Sequence, residues 1–216
     1  MAVNALEIVK LEADRYDRAR ALLGRAFYDY NLMVYAAPDN RSRLAGVTLL
    51  YGALMSDCFR FGEVYVSRDC RGVACWMPPG IAVAGLWRQI RSGMLALPLR
   101  FGLAGFRRLV AFDNVAARLH HQHAPMPHWH LSVIGVEPEF QGQGIGSAMM
   151  QPMLERADAA AVPCYLDTHQ EANVRLYQRH GFEIAERAEL SGHPVPVYAM
   201  LRKPRVAPVA RQPRRT

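Results

Sequence analysis

From Ala13 to Phe27 apolar side chains return every three or four positions, at Ala19, Leu22, Leu23 and Ala26. That period predicts a helix with one buried face and Asp14 as its N-cap. Residues 5–11 (ALEIVKL) read as a strand before it. The segment Tyr28–Asn40 is aromatic, follows neither period and ends in Pro38-Asp39-Asn40, so an irregular stretch is expected there. A second helix runs from about Arg41 to Phe59. EVYVS (Glu63–Ser67) and VACWM (Val73–Met77) read as strands joined into a hairpin by the polar turn Arg68–Gly72, and Pro78-Pro79-Gly80 stops the second one. Residues 81–123 read as two or three helices whose apolar faces are punctuated by arginines, with Trp87, Leu95, Leu97, Phe101 and Phe106 mostly directed to the core.

The second half alternates more tightly. Strands are expected at Trp129–Val136, Pro163–Thr168, Phe182–Leu190 and Pro196–Arg202, with helices at Gly144–Ala160 and Glu171–His180. A β-α-β-α-β succession beside antiparallel hairpins predicts a mixed α/β (α+β) sheet. Pro152, inside the Gly144–Ala160 helix, is expected to kink it. With no internal repeat or Ser/Gly-rich linker, residues 1–203 read as one domain carrying a helical insertion at about 81–123, followed by a disordered basic tail at 204–216.

Composition changes this picture little. The 216 residues carry 26 Lys+Arg against 19 Asp+Glu, a net charge of +7. Six of the positive charges (Arg202, Lys203, Arg205, Arg211, Arg214, Arg215) lie in the last fifteen residues, so the body is nearly neutral and no nucleic-acid partner is expected. Cys58, Cys70, Cys75 and Cys164 form no CxxC pair, and the N-terminus shows no secretory pattern. A reduced cytoplasmic setting with free thiols is therefore expected. No stretch reaches the roughly 18 apolar residues that span a bilayer, so no membrane partner is expected and the apolar face of 81–112 is assigned to internal packing.

Chemistry is concentrated after Trp129–Val136, where Val136-Glu137-Pro138 leads into Gln141-Gly142-Gln143-Gly144-Ile145-Gly146. A glycine-rich turn feeding a helix N-terminus aims unpaired N–H groups at one point and suits an anion. A P-loop is excluded because no Lys-Ser/Thr follows the glycines. A dinucleotide fold would use the GxGxG spacing and Asp167, 21 residues beyond Gly146. A tight strand-to-helix turn without a ligand is the third reading of the same glycines.

The wider pattern is more specific. V-x-P-x-x-Q-G-x-G-I-G stands 27 residues before an asparagine, followed by LYQRHGF. Here the chain resembles the GNAT superfamily of N-acetyltransferases, and His128–Lys203 looks like the puromycin acetyltransferase type. The resemblance implies a mostly antiparallel mixed sheet with a splayed central strand pair and helices on both faces. It implies acetyl-coenzyme A as co-substrate, with its pyrophosphate on the amides of Gln143 to Ser147, the loop Gln141, Gly142, Gly144, Ile145 and Gly146 around it, and its pantetheine arm along Ile134, Gly135 and Val136. Asn173 is expected to hydrogen-bond that arm, or else to cap its helix.

The resemblance also implies catalytic roles. Tyr177 is the candidate general acid for the leaving thiolate, against the reading of a core tyrosine packed under the Gly181 cap with Phe182. His130 occupies the position eleven residues before Gln141 where some members carry a glutamate base, and Asp167 is the second candidate base. Phe27 and Tyr30 are expected on the acceptor side. His120, His121, His123, His128 and His130 lack a zinc framework, and no metal is expected. The implied reaction is direct attack of a small molecule's primary amine on the thioester in a ternary complex. The alternative is a coenzyme-binding pseudoenzyme or regulatory module without turnover. Sheet edges and apolar insert helices leave room for a homodimer.

Overall fold

In a computed structural model, described for residues 6–81, 88, 91–189 and 195–205, seven strands form a single sheet. The strands are β1 (Ile8–Lys10), β2 (Glu63–Ser67), β3 (Gly72–Met77), β4 (Trp129–Val136), β5 (Cys164–Thr168), β6 (Glu183–Glu189) and β7 (Pro196–Arg202), in the order β1-β2-β3-β4-β5-β7-β6. Every neighbouring pair is antiparallel except β4 with β5. The helices are α1 (Tyr16–Ala26), α2 (Asn31–Ala36), α3 (Asn40–Phe61), α4 (Leu97–His123), α5 (Ile145–Ala159) and α6 (Glu171–Arg179). One hydrophobic layer packs α1, α3 and α4 on one face of the sheet, and a second packs α5 and α6 on the other.

The sheet is mixed and mostly antiparallel with helices on both faces, as expected. Its central pair is splayed: β4 and β5 share only the pairs Trp129↔Cys164 and His130↔Tyr165. On its other edge β4 keeps its ladder with β3, but the register shifts so that Cys75 faces Val133 and Trp76 faces Leu131. Ser132 is the extra residue, a β-bulge. Its consequence is a change of face. Trp129 and Leu131 point to the α5–α6 layer, whereas beyond the bulge Val133 points to the opposite layer and Ile134 and Val136 return to the first. The bulge bends β4 and increases its twist, and β5 does not follow.

Several expectations are corrected. Asp14 is not an N-cap: it lies in a 3-10 turn, Ala13–Arg15, and α1 begins at Tyr16 without a side-chain cap. Tyr28–Asn40 contains the short helix α2, because Leu32, Met33 and Ala36 bury one face. The described part of 81–123 is helical as expected: Arg88, Arg91 and Ser92 are in helical conformation, a 3-10 turn (Met94–Ala96) follows, and α4 is two helices joined across a kink at Gly102 (φ 65°, ψ 172°). Leu97 and Phe101 are core, but Leu95 is exposed. Trp87 and the tail from 206 lie outside the described residues. Pro152 lies inside α5, as expected, at a position where it offers no N–H to the helix's own ladder. Among the described residues no helix is long and apolar enough to cross a membrane.

One buried cation ties the α5–α6 layer to the sheet. Arg202, at the end of β7, donates to both carboxylate oxygens of Asp158 on α5 (2.7 and 2.6 Å) and to the His180 carbonyl at the end of α6 (2.8 Å). The Arg202 hydrogen bonds hold the Asp158 carboxyl below its usual range. A lowered carboxylate pKa stabilises the fold above the unfolded value, and that contribution disappears as pH falls through the folded one. Asp158→Ala should therefore cost about 3 kcal/mol near neutral pH by stranding a buried guanidinium. In urea unfolding followed across pH, the gap between wild type and variant should close as the acid limb is reached.

Candidate active site

The glycine loop is built by short-range bonds. A 3-10 turn, Pro138–Phe140, follows β4, and the Gln141 side chain returns to the Val136 carbonyl (3.1 Å) while that of Gln143 returns to the Glu139 carbonyl (3.3 Å). Gly142 (φ 75°) and Gly144 (φ 82°) are left-handed, a conformation that disfavours a Cβ. Glu137 is held from α1 by an ion pair with Arg25, and its N–H donates to the Arg71 carbonyl (2.9 Å). The first bond within α5 is Ala148 N–H to the Gly144 carbonyl (3.1 Å), so the amides of Ile145, Gly146 and Ser147 precede the helix's own ladder. Gln141 to Gly144 are exposed, and the Ser147 hydroxyl meets His180 Nε2 at 2.9 Å.

This helix N-terminus stands at the end of the gap between β4 and β5. From Leu131 onward the β4 edge facing β5 has no strand partner. Ile134 and Val136 are half-buried on the α5 side, and Gly135 is closed on the other side by α1: a Cβ there would lie 2.8 Å from Leu23 Cδ2. Free amides at a helix N-terminus, left-handed glycines with open space around them and an unpaired strand edge fit a pyrophosphate with an amide-bearing arm.

On the α1–α4 face the gap is polar. Asp167 at the end of β5 lies between two imidazoles, with Oδ1 3.8 Å from His130 Nε2 and Oδ2 3.7 Å from His169 Nε2. Burial pushes its carboxyl up, but the His130 contact and the neighbouring imidazoles outweigh this and hold it below the usual carboxylate range. Burial pushes His169 down to about 4. Behind His130, His120 stacks on Tyr165 (centroids 4.5 Å apart, 8° between planes) and its Nε2 meets His128 Nε2 at 2.7 Å. His128 Nδ1 donates to the Met126 carbonyl (2.6 Å). Its Nε2 then accepts, and His120 donates through Nε2. Burial keeps both rings low, His120 at about 3. Of the clustered histidines, then, His120, His128 and His130 share one site. His123 turns to Glu186 (2.7 Å), and among the described residues no group of three or more such side chains is arranged for a metal.

Tyr177 lies on the α5–α6 side, buried, and burial pushes its hydroxyl far above the usual range. Its backbone begins a Schellman motif: Phe182 N–H donates to the Tyr177 carbonyl (3.2 Å), Gly181 N–H to that of Gln178 (3.0 Å), and Gly181 is left-handed (φ 87°). The packing of Tyr177 against Phe182 under the cap is present, with ring centroids 6.0 Å apart. Asn173 is not an N-cap: Gln170 holds that position, and Asn173 donates to the Thr168 hydroxyl (3.4 Å). Phe27 stacks on Tyr51 (3.7 Å, 12°). Tyr30 is buried, and its hydroxyl accepts from the His169 amide (3.0 Å) and meets Thr168 Oγ1 (3.4 Å).

Comparison with known proteins agrees with this geometry. Residues 102–184 match the family described as "Acetyltransferase (GNAT) domain". That stretch, from α4 to the start of β6, is similar to a GNAT acetyltransferase domain. An uncharacterized N-acetyltransferase of Schizosaccharomyces pombe is 25% identical over 94% of this chain and 85% of that protein. Among solved structures, a Corynebacterium glutamicum protein described as "histone acetyltransferase HPA2 and related acetyltransferase" superposes with a TM-score of 0.69 at 22% identity, over 95% of this chain and 99% of that one. Arylalkylamine N-acetyltransferase 2 of Aedes aegypti gives 0.58 at 13% identity, over 93% and 99%. Both share the GNAT fold.

Within this domain, sequence reasoning missed His169, Tyr51 and Phe112, whose ring meets His169 at 3.9 Å. His169 follows Asp167 by two residues at a strand end, and that spacing returns a side chain to the same face. Tyr51 and Phe112 sit on helices distant in sequence and left no local mark. Tyr30→Phe removes the acceptor of a buried N–H and should destabilise the protein by about 1–3 kcal/mol in urea unfolding. A variant as stable as wild type would mean that the His169 amide finds another acceptor.

Proposed function

We propose that the protein is an acetyl-coenzyme-A-dependent N-acetyltransferase, of the puromycin acetyltransferase-like kind, acting on the primary amine of a small molecule by direct attack in a ternary complex. The observation that carries this reading is the β4–β5 gap, with a helix N-terminus at its mouth and ionisable groups on opposite faces of the sheet. Ile145 to Ser147 would hold the pyrophosphate through their amides, and the β4 edge would pair with the pantetheine arm. The reaction forms a C–N bond and breaks the C–S bond. The amine must lose one proton, and the departing thiolate must gain one.

The electrostatics divide these tasks. A carboxylate held as low as Asp167 is a weak base and a good counter-ion, so it holds the incoming ammonium, and the His130 imidazole takes the proton. His130 Nδ1 is buried without a hydrogen-bond partner among the described residues. Tyr177, kept neutral by burial, supplies the thiolate's proton from the other face. Phe27, Tyr30 and Tyr51 form the aromatic wall beside the ammonium, which suits an amine carrying an apolar body. A coenzyme-binding module without turnover is the second reading, favoured by the burial of Tyr177 in its Schellman contact.

Calorimetric titration with acetyl-coenzyme A should give saturable one-to-one binding that persists at physiological salt. Tyr177→Phe should leave that binding unchanged and lower kcat with an amine acceptor by about 10²–10⁴-fold. Asp167→Asn should raise KM for the amine more than it lowers kcat. No binding at millimolar coenzyme reduces the loop to a turn. Binding without turnover across an amine panel selects the second reading.

A further inference from the structure

The apolar face of 81–112 does not all turn inward. Leu95, Leu99 and Leu103 are 68%, 87% and 64% exposed. One exposed leucine needs no explanation. These three recur at every fourth position, on the turn Met94–Ala96 and the start of α4, with Arg91, Arg100 and Arg107 exposed among them. None of these three guanidinium groups has a hydrogen-bond or ion-pair partner among the described residues. Arg60 donates to the Arg91 carbonyl (3.4 Å), which brings the end of α3, with exposed Phe59 and Phe61, beside this face.

Charge decides what such a face can meet. Between Asp69 and Asp113 the chain has six arginines and no acid. A second copy joined through the same patch by a two-fold axis would set arginine against arginine with no carboxylate to separate them. An acyl-chain layer edged by phosphate groups satisfies both components, because leucines enter it and arginines reach the headgroups. We propose that the face formed by Leu95, Leu99 and Leu103 with Arg91, Arg100 and Arg107 docks on an anionic lipid surface. Beyond the kink at Gly102 the same chain segment carries Phe112 onto His169, so the docking face adjoins the element that packs on the candidate active site.

The test is flotation of the full-length protein with vesicles at physiological salt. The protein should rise with vesicles containing phosphatidylglycerol and stay behind with pure phosphatidylcholine. The triple variant Leu95→Ser/Leu99→Ser/Leu103→Ser should lose about tenfold in bound fraction, as loss of the inserting side chains requires, with its circular dichroism and unfolding midpoint unchanged. Arg100→Gln/Arg107→Gln should weaken binding similarly and serves alone if the serine variant fails to fold. Absence of binding to the anionic vesicles overturns the proposal. So does binding that survives both sets of substitutions, which would assign it to the basic tail. A wild-type dimer that the serine variant splits, with no vesicle binding, also overturns it and makes the face a contact between copies.

Discussion

The site exists because β4 and β5 are hydrogen-bonded over two residue pairs and then part. Parallel strands ordinarily continue pairing, since an unpaired N–H or C=O removed from water costs about 1–3 kcal/mol. Here the ladder between β3 and β4 contains an extra residue, Ser132, so β4 turns away while β5 continues toward β7. The backbone groups released by this divergence form a ready donor and acceptor edge inside the fold. The α5 N-terminus, carried on the connection leaving β4, arrives at the end of that edge. A bulge of one residue thus aligns two kinds of main-chain binding group along one line.

The two faces of the sheet differ in chemistry for a related reason. Tyr165, Asp167 and His169 alternate on one side of β5 and its continuation, beside His130 and the His120–His128 pair. Cys164, Leu166 and Tyr177 lie in the apolar layer of α5 and α6. Asp167 is held below the usual carboxylate range beside His169, which burial keeps neutral, and Tyr177 is kept neutral among methionines and aromatics. Two groups with opposite protonation preferences therefore stand in opposite layers of the sheet, the division on which the proposed proton transfers rest.

Much of this could be read from local pattern. Trp129–Val136 was legible to the residue because buried and less buried positions alternate along it, and Pro196–Arg202 because a continuous apolar run is bounded by a proline and an arginine, while the glycine loop announced its turn chemistry directly. The bulge was not legible, since burial along β4 alternates without interruption even though Ser132 reverses the face. Asp14 misled because a cap-like residue inside a 3-10 turn has the same signature as a true N-cap. Leu95 was placed in the core because an apolar residue among apolar neighbours carries no mark of its exposure. His169, Tyr51 and Phe112 came together only through tertiary contacts between β5, α3 and α4, which no local spacing records.

The Tyr30 hydroxyl has a consequence for how this protein can change. It lines the aromatic wall and accepts the His169 amide, and His169 in turn flanks Asp167. Reshaping the wall at Tyr30 therefore also loosens the strand end that carries the carboxylate. Diversification of the wall has an easier route through Phe27 and Tyr51, which meet each other by ring stacking and can be exchanged for other rings or aliphatics without releasing a backbone amide. In lineages descended from this chain, position 30 should drift least among the three aromatics.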